Sequence, residues 1–258
     1  MGNSKVKLSI LMPVRNEGVN IKVMLKILHS VVNIPHEILI VYDHPNDNSI
    51  PIVKKLSHKY SNVRFVHNKI GRGVANAIKA GVEASKGNYI LIFAVDEVGP
   101  VLAIDDMVAL MDDGCSLVSC TRYAHGGRRL GGSYVGGILS RVGNKLFRLM
   151  SGSVFTDSTT GIKMFKRSIF DNIKLEAKPV GWAVVFELAI KAQAAGLKLG
   201  EVPIVSIDRL YGGKSTFSLG PWFKEYLKWF FFGIRHLRTS NRSKLKIRMH
   251  STTILDKD

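Results

Sequence analysis

Apolar and polar positions alternate along the first half of the chain in the rhythm of strand, then helix, then strand. Leu8–Val14 has a strand pattern, and Asn20–Val32 repeats apolar residues at helical spacing, with Asn20 as a candidate cap. His36–Asp43 predicts a second strand, and Asp47 is placed to cap a helix running to about Tyr60. Asn62–His67 follows as a strand, then Arg72–Ala84 as a helix closed by Lys86-Gly87. Tyr89–Ala94 is apolar on both faces, as a strand buried in a parallel sheet must be. A helix near Ile104–Met111 and a strand at Ser116–Thr121 complete the series. This order predicts an α/β fold with a doubly wound parallel sheet. In such sheets ligands bind beyond the carboxyl ends of the strands, so the loops after Val14, Asp43, Ala94 and Thr121 are expected to share one crevice.

The second half is less regular. Ser133–Met150 predicts a helix, Gly161–Phe165 a strand, Ala183–Ala195 a helix ending at Gly196, Glu201–Ile207 a strand, and Pro221–Arg238 a helix rich in aromatic residues. No repeat or long linker interrupts the chain. The division expected is a catalytic-type domain over residues 1–219 and a helix with a basic tail over 220–258.

Charge narrows the choice of partner. Lys and Arg outnumber Asp and Glu by 37 to 20 in 258 residues, a formal charge of +17, which points to an anionic partner such as nucleic acid, an acidic membrane face or phosphorylated small molecules. No stretch reaches the roughly 18 apolar residues that span a bilayer, and Met1 to Lys7 lacks a signal-peptide core. Cys115 and Cys120 are five positions apart in a strand, about 16 Å in an extended chain, so they are expected to be free thiols, as suits a cytosolic protein.

Several polar residues interrupt the pattern at strand ends. Pro13-Val14-Arg15-Asn16-Glu17 follows the first strand, and by itself reads as a polar turn or as one side of a nucleotide pocket. Asp43 ends the second strand, where a carboxylate either opens a turn or accepts from a ribose hydroxyl or a base N–H. Gly71-Arg72-Gly73 precedes a helix, where glycines permit close backbone approach and the helix start attracts anions. Asp96-Glu97 follows the most apolar strand, and carboxylate oxygens there suit Mg²⁺ or Mn²⁺ bridged to phosphates. Arg122, Arg209 and Lys214 supply phosphate-matching cations, and Gly212-Gly213 suggests a loop able to close over a ligand.

Taken together, these pieces resemble the family-2 inverting glycosyltransferases, most closely the dolichol-phosphate mannose synthase and polyprenyl-phosphate sugar transferase branch. The resemblance runs in order from about Leu8 to Lys214. Its carriers are Pro13 to Glu17, Asp43 with Asp47, Gly71 and Gly73 with Ala75, Lys86-Gly87, Thr121-Arg122-Tyr123, Asp157 to Lys163, Glu201-Val202-Pro203-Ile204, and Asp208-Arg209 with Tyr211-Gly212. It implies the three-layer α/β nucleotide-diphospho-sugar transferase (GT-A) fold, with a mostly parallel central sheet and a C-terminal interfacial helix. It also implies that Pro13, Arg15, Glu17, Val41, Asp43 and Val95 line the nucleotide pocket, and that Asp96, with Glu97 as a substitute second ligand, holds Mg²⁺ or Mn²⁺. Arg122, Arg209 and Lys214 would grip phosphates, and Asp157 would lie beside the transferred sugar. The chain departs from the family's Asp-x-Asp metal motif, which reads Ala94-Val95-Asp96 with Val98 beyond it. Arg15 stands where the family has Tyr, and Gly136 where it has Arg.

The function implied is transfer of a mannose- or glucose-like sugar from a nucleoside-diphosphate sugar to a lipid phosphate acceptor of polyprenyl type, with inversion. A saccharide or glycolipid acceptor, with Asp157 as base, and a catalytically impaired nucleotide-sugar-binding protein are the alternatives. In Trp222–Arg238, Lys224, Lys228, Arg235 and Arg238 form one stripe and the aromatic residues another, the pattern of an interfacial helix on a membrane surface or of a helix packed on its own sheet. The first reading places the protein peripherally on the cytoplasmic face of a membrane and leaves room for a membrane-embedded partner subunit. The aromatic residues cluster on that helix rather than on a sheet face, which argues against nucleic acid.

Overall fold

The computed structural model describes residues 6–207, 219–238 and 245–248. Among these described residues ten strands form in chain order: β1 (Leu8–Pro13), β2 (His36–Tyr42), β3 (Val63–His67), β4 (Tyr89–Ile92), β5 (Leu117–Thr121), β6 (Arg128–Leu130), β7 (Lys163–Lys166), β8 (Leu199–Pro203), β9 (Val205–Ile207) and β10 (Leu245–Ile247). Seven α-helices accompany them: α1 (Gly18–Val31), α2 (Ser49–Ser57), α3 (Val74–Ala84), α4 (Ile104–Asp112), α5 (Tyr134–Ser151), α6 (Ala183–Ala194) and α7 (Leu219–Leu237). The expected elements are present, with ends moved by a few residues. The strand expected over Glu201–Ile207 is two, because Pro203 and Ile204 separate β8 from β9.

Eight strands make one sheet in the order β10-β8-β5-β7-β4-β1-β2-β3, while β6 and β9 pair separately. All neighbours in the large sheet are parallel except β7, which runs antiparallel to both β4 and β5. Alternate side chains separate to opposite faces, as the pleat requires. Leu8, Ile10 and Met12 of β1 pack with residues of α1 and α4, while Leu11 packs with α3 and with the layer that includes Phe147, Phe186 and Trp229.

A buried carboxylate staples the amino end of the sheet. Glu37 Oε1 accepts from the Ser9 hydroxyl at 2.7 Å and from the Lys86 N–H at 2.6 Å, and Arg64 donates to Oε2 at 2.5 Å. Ser9 Oγ in turn accepts from the Gly87 N–H at 2.9 Å. β1, β2, β3 and the approach to β4 are thereby tied together without an unpaired charge.

Of the residues beyond 220, α7 packs on the core and residues 245–248 join the edge of the sheet. β10 lies parallel to β8 at the sheet edge, Lys246 pairs with Asp113, and Arg248 donates to Asp106 at 2.7 Å. Trp229 and Leu237 of α7 are buried in the core, and Tyr226, Phe230 and Phe232 pack against it. The aromatic stripe therefore faces the protein, because α5 and α6 supply the apolar surface it needs. Only Phe223, at 60% exposure, and Phe231, at 61%, point outward among its large apolar side chains with described surroundings. Cys115 and Cys120 are free and buried. Among the described residues no helix is long and apolar enough to cross a membrane.

One contact governs where β9 lies. A Cβ built on Gly99 would sit 1.6 Å from the Val205 carbonyl oxygen, so any side chain there must displace β9. Gly99→Ala should lower stability by about 2 kcal/mol or more, a cost typical of overpacking against an unyielding neighbour, measured by chemical denaturation.

Candidate functional site

Parallel order brings the tips of β2, β1 and β4 side by side. Pro13 pairs with Val41 in register, Val14 N–H donates to the Val41 carbonyl at 2.9 Å, and Phe93 N–H donates to the Leu11 carbonyl at 2.9 Å. The loops after these strands carry Arg15 and Glu17, Asp43, and Asp96. Asn16 sits at φ 58, a left-handed conformation that Asn tolerates. It is held there because its N–H donates to Asp47 Oδ2 at 2.9 Å. Asp47 Oδ1 accepts from the Ser49 N–H at 2.8 Å, so Asp47 locks one loop to the next rather than facing a ligand. Glu17 Oε2 accepts from Asn20, which is why Asn20 lies inside the first turn of α1 and does not cap it.

Asp43 Oδ2 accepts from the Gly73 N–H at 3.1 Å, tying the β2 tip to the start of α3. A Cβ on Gly73 would meet the Pro179 carbonyl at 2.5 Å, and its φ of 106 is open to glycine alone. Val41 and Val95 are core residues, 1% and 4% exposed. Val41 packs in the cluster on the α3 side of the sheet and Val95 in the cluster on the α1 side.

Asp96 is half-buried just past β4. Glu97 accepts from the Ser206 hydroxyl at 3.2 Å, which draws it toward β9. Among the described residues no group of three or more His, Cys, Asp or Glu side chains is arranged to hold a metal ion. Asp96 and Glu97 remain the carboxylates just past the β4 tip. Oxygen chemistry of that kind suits a hydrated Mg²⁺ or Mn²⁺ whose remaining ligands come from water and substrate phosphates.

The antiparallel β7 delivers Asp157. Because this strand enters at the carboxyl ends of its neighbours, with Lys163 opposite both Ile92 and Ser119, the loop before it lies over the tips of β4 and β5. There Arg122 Nε donates to Asp157 Oδ2 at 2.7 Å, its Nη2 donates to Oδ1 at 3.0 Å, and its backbone N–H donates to Oδ2 at 3.3 Å. The guanidinium is also within reach of Ser140 and Thr159 and lies over the Tyr123 ring. Asp157 is 0% exposed. Burial acts to raise its pKa, yet the Arg122 charge and hydrogen bonds hold the carboxyl below the usual carboxylate range. Burial likewise acts to lower the Arg122 pKa, and Asp157 drives it up instead. Arg122 was expected to grip phosphate and Asp157 to face the sugar or act as base. In the structure each is bonded to the other beside the tips of β4 and β5. Arg209 and Lys214 lie outside the described residues.

Two further charges sit beneath this pair. Lys163, fully buried, donates to the Ser119 hydroxyl at 2.7 Å, and burial pushes its pKa down to about 8. Glu201 Oε1 accepts from the Thr156 N–H at 2.8 Å and the Asp157 N–H at 3.3 Å, while Oε2 accepts from the Thr156 hydroxyl at 2.8 Å. Burial pushes the Glu201 pKa up to about 7. Neither was named as a site residue from the sequence. The signal was there, since a charge inside an apolar strand such as Lys163-Met164-Phe165 or Leu199-Gly200-Glu201-Val202 requires a buried partner.

A raised folded-state pKa makes stability depend on pH. The Glu201 contribution is full below about 4.5, falls as pH rises, and is gone above about 7, a loss of about 3 kcal/mol if the whole shift is expressed. Lys163, with a depressed pKa, acts in the separate window from about 8 to 10.5, where stability rises with pH. Glu201→Gln should therefore flatten the decline of denaturation free energy between pH 4.5 and 7; an unaltered decline would place its origin elsewhere.

Comparison with known proteins agrees with this geometry. Residues 9–174 match the family Glycosyl transferase family 2. The chain is 25% identical over 212 residues to glycosyltransferase AglD of Haloferax volcanii, covering 77% of this chain and 33% of that protein. It is 31% identical over 121 residues to the uncharacterized glycosyltransferase YibD of Escherichia coli, covering 46% and 35%. It thus spans about a third of the length of each of these relatives. Among solved structures, glucosyl-3-phosphoglycerate synthase from Mycobacterium tuberculosis, in complex with Mn²⁺, UDP and glucosyl-3-phosphoglycerate, shares the fold. Its TM-score is 0.69 at 14% identity, with 95% of this chain and 88% of that chain covered. The same enzyme with Mn²⁺, UDP and phosphoglyceric acid gives a TM-score of 0.68 at 16% identity, covering 90% and 79%. A family match over residues 9–174, from β1 through β7, leads to one assignment: this chain belongs to glycosyl transferase family 2.

Proposed function

We propose that the chain transfers a mannose- or glucose-like sugar from a nucleoside-diphosphate sugar to a lipid phosphate of polyprenyl type at a membrane surface, with inversion. The observation that carries the choice of acceptor is the state of Asp157. A hydroxyl acceptor needs a base, and the carboxylate best placed for that work is buried and bonded twice by Arg122. A phosphate acceptor arrives as an anion and needs no proton removed.

One phosphate oxygen attacks the anomeric carbon from the face opposite the nucleotide. The new carbon–oxygen bond forms as the bond to the diphosphate breaks, and the leaving nucleoside diphosphate takes the electron pair. Pro13, Arg15, Glu17 and Asp43 border the nucleoside side of the crevice, and Arg209 and Lys214 are proposed to meet the phosphate charge. Asp96 would hold Mg²⁺ or Mn²⁺, which when bound neutralises charge on the diphosphate. UDP, UDP-glucose and Mn²⁺ bound to glucosyl-3-phosphoglycerate synthase support this class of donor and ion.

Thermal shift with UDP and GDP, with and without Mn²⁺, tests the donor side. The favoured nucleotide should raise the midpoint more with Mn²⁺ present, and Asp96→Asn should remove that increment while leaving the metal-free shift. Product analysis with polyprenyl phosphate and with saccharides tests the acceptor side. Transfer to a sugar hydroxyl but not to the lipid phosphate would overturn the acceptor assignment. Binding without turnover at any Mg²⁺ or Mn²⁺ concentration would instead identify an impaired enzyme, with Ala94 as its cause.

A further inference from the structure

α5 is built the wrong way round for a helix of a water-exposed surface. Its inner side carries Gly136, Gly137, Ser140, Gly143, Asn144 and Ser151, with Phe147 as the one large apolar anchor. Its outer side carries Ile138, Leu139, Val142, Leu146, Leu149 and Met150, all large and exposed, Leu149 at 72% and Leu139 at 57%. At about 100° per residue these six fall within an arc of about 120°. Arg141, Lys145 and Arg148 lie together along one flank of that arc, all exposed, and the helix has no acid. On neighbouring α7 the outward stripe is Phe223, Lys224, Lys228, Phe231 and Arg235.

We propose that the outer face of α5 is the surface by which the protein lies on an anionic lipid bilayer. The inference rests on the membrane acceptor proposed above and names the element that makes the contact. The apolar arc suits insertion at the level of the acyl-chain boundary, and the flanking cations, with the α7 stripe, suit anionic headgroups. The opposite side of the same helix reaches the crevice: Ser140 Oγ accepts from Tyr123 at 2.8 Å and meets Arg122, and Asn144 Oδ1 accepts from the Ser158 N–H at 2.9 Å beside Asp157. A helix seated in the headgroup layer would thus hold the crevice within reach of a phosphate at the bilayer surface.

Co-sedimentation of the full chain with protein-free vesicles tests this. It should bind vesicles of phosphatidylglycerol and phosphatidylcholine and bind pure phosphatidylcholine much less. The variant Leu139→Gln/Val142→Gln/Leu146→Gln/Leu149→Gln should lose about tenfold or more of the binding to anionic vesicles. Its thermal midpoint should be unchanged, since these side chains touch solvent. Undiminished vesicle binding by the variant would overturn the proposal. So would failure of the unaltered chain to bind vesicles, which would point to a membrane-embedded protein as occupant. A lipid-free dimer that the variant dissolves would overturn it in favour of a second copy. Transfer to polyprenyl phosphate in detergent separates the two readings: if it persists while vesicle binding is absent, the acceptor assignment stands and the docking surface falls.

Discussion

Four charges buried under the crevice can exist only because each is answered within the protein. Arg122 and Asp157 close on one another, Lys163 is held by Ser119, and Glu201 is bonded by the backbone and hydroxyl of Thr156. An ion left alone in such surroundings costs several kcal/mol. The elements that bring them together, β5, β7, β8 and the loop before β7, are therefore constrained as a group. Shifting β7 by one residue in register would turn Lys163 to the other face and leave its neighbours uncompensated. The polar network consequently specifies the alignment of the middle of the sheet more sharply than the apolar core can.

The parallel half of the fold was legible in the sequence because its strands are buried on both faces and its helices keep an apolar stripe. Tyr89 to Phe93 is the clearest case. What could not be read was the direction of β7. A short apolar strand carries no mark of its orientation, and the pairing that reverses it comes from residues far away in the chain. That reversal is also why the pairing of Asp157 with Arg122 is not legible in the sequence: each reads as a separate polar residue, while their bond joins residues 35 apart. Asp43 and Asp96 follow the carboxyl ends of the parallel strands β2 and β4, a location that strand order alone makes readable from the sequence.

α7 and α5 show a second limit of periodicity. Both have an apolar stripe and a set of cations, and a helical wheel cannot say which stripe turns inward. In α7 the rings are large enough to fill the space over α6, and Trp229 gains Glu225 as partner for its indole N–H at 3.0 Å. In α5 the small inner residues permit close approach to the site loop, which leaves the aliphatic residues outside. Residue size on the opposite face, rather than hydrophobicity, separates the two cases.

The two ends of the large sheet share a trait that bears on how the molecule behaves at high concentration. β3 presents Arg64 and His67, and β10 presents Lys246 followed by Arg248. A strand at the rim of a sheet offers free main-chain groups to any passing strand, and another copy could pair there only by disturbing long charged side chains that are already fastened to Glu37, Asp113 and Asp106. The ion pairs that fasten each rim strand to the body therefore also keep molecules from stacking edge to edge.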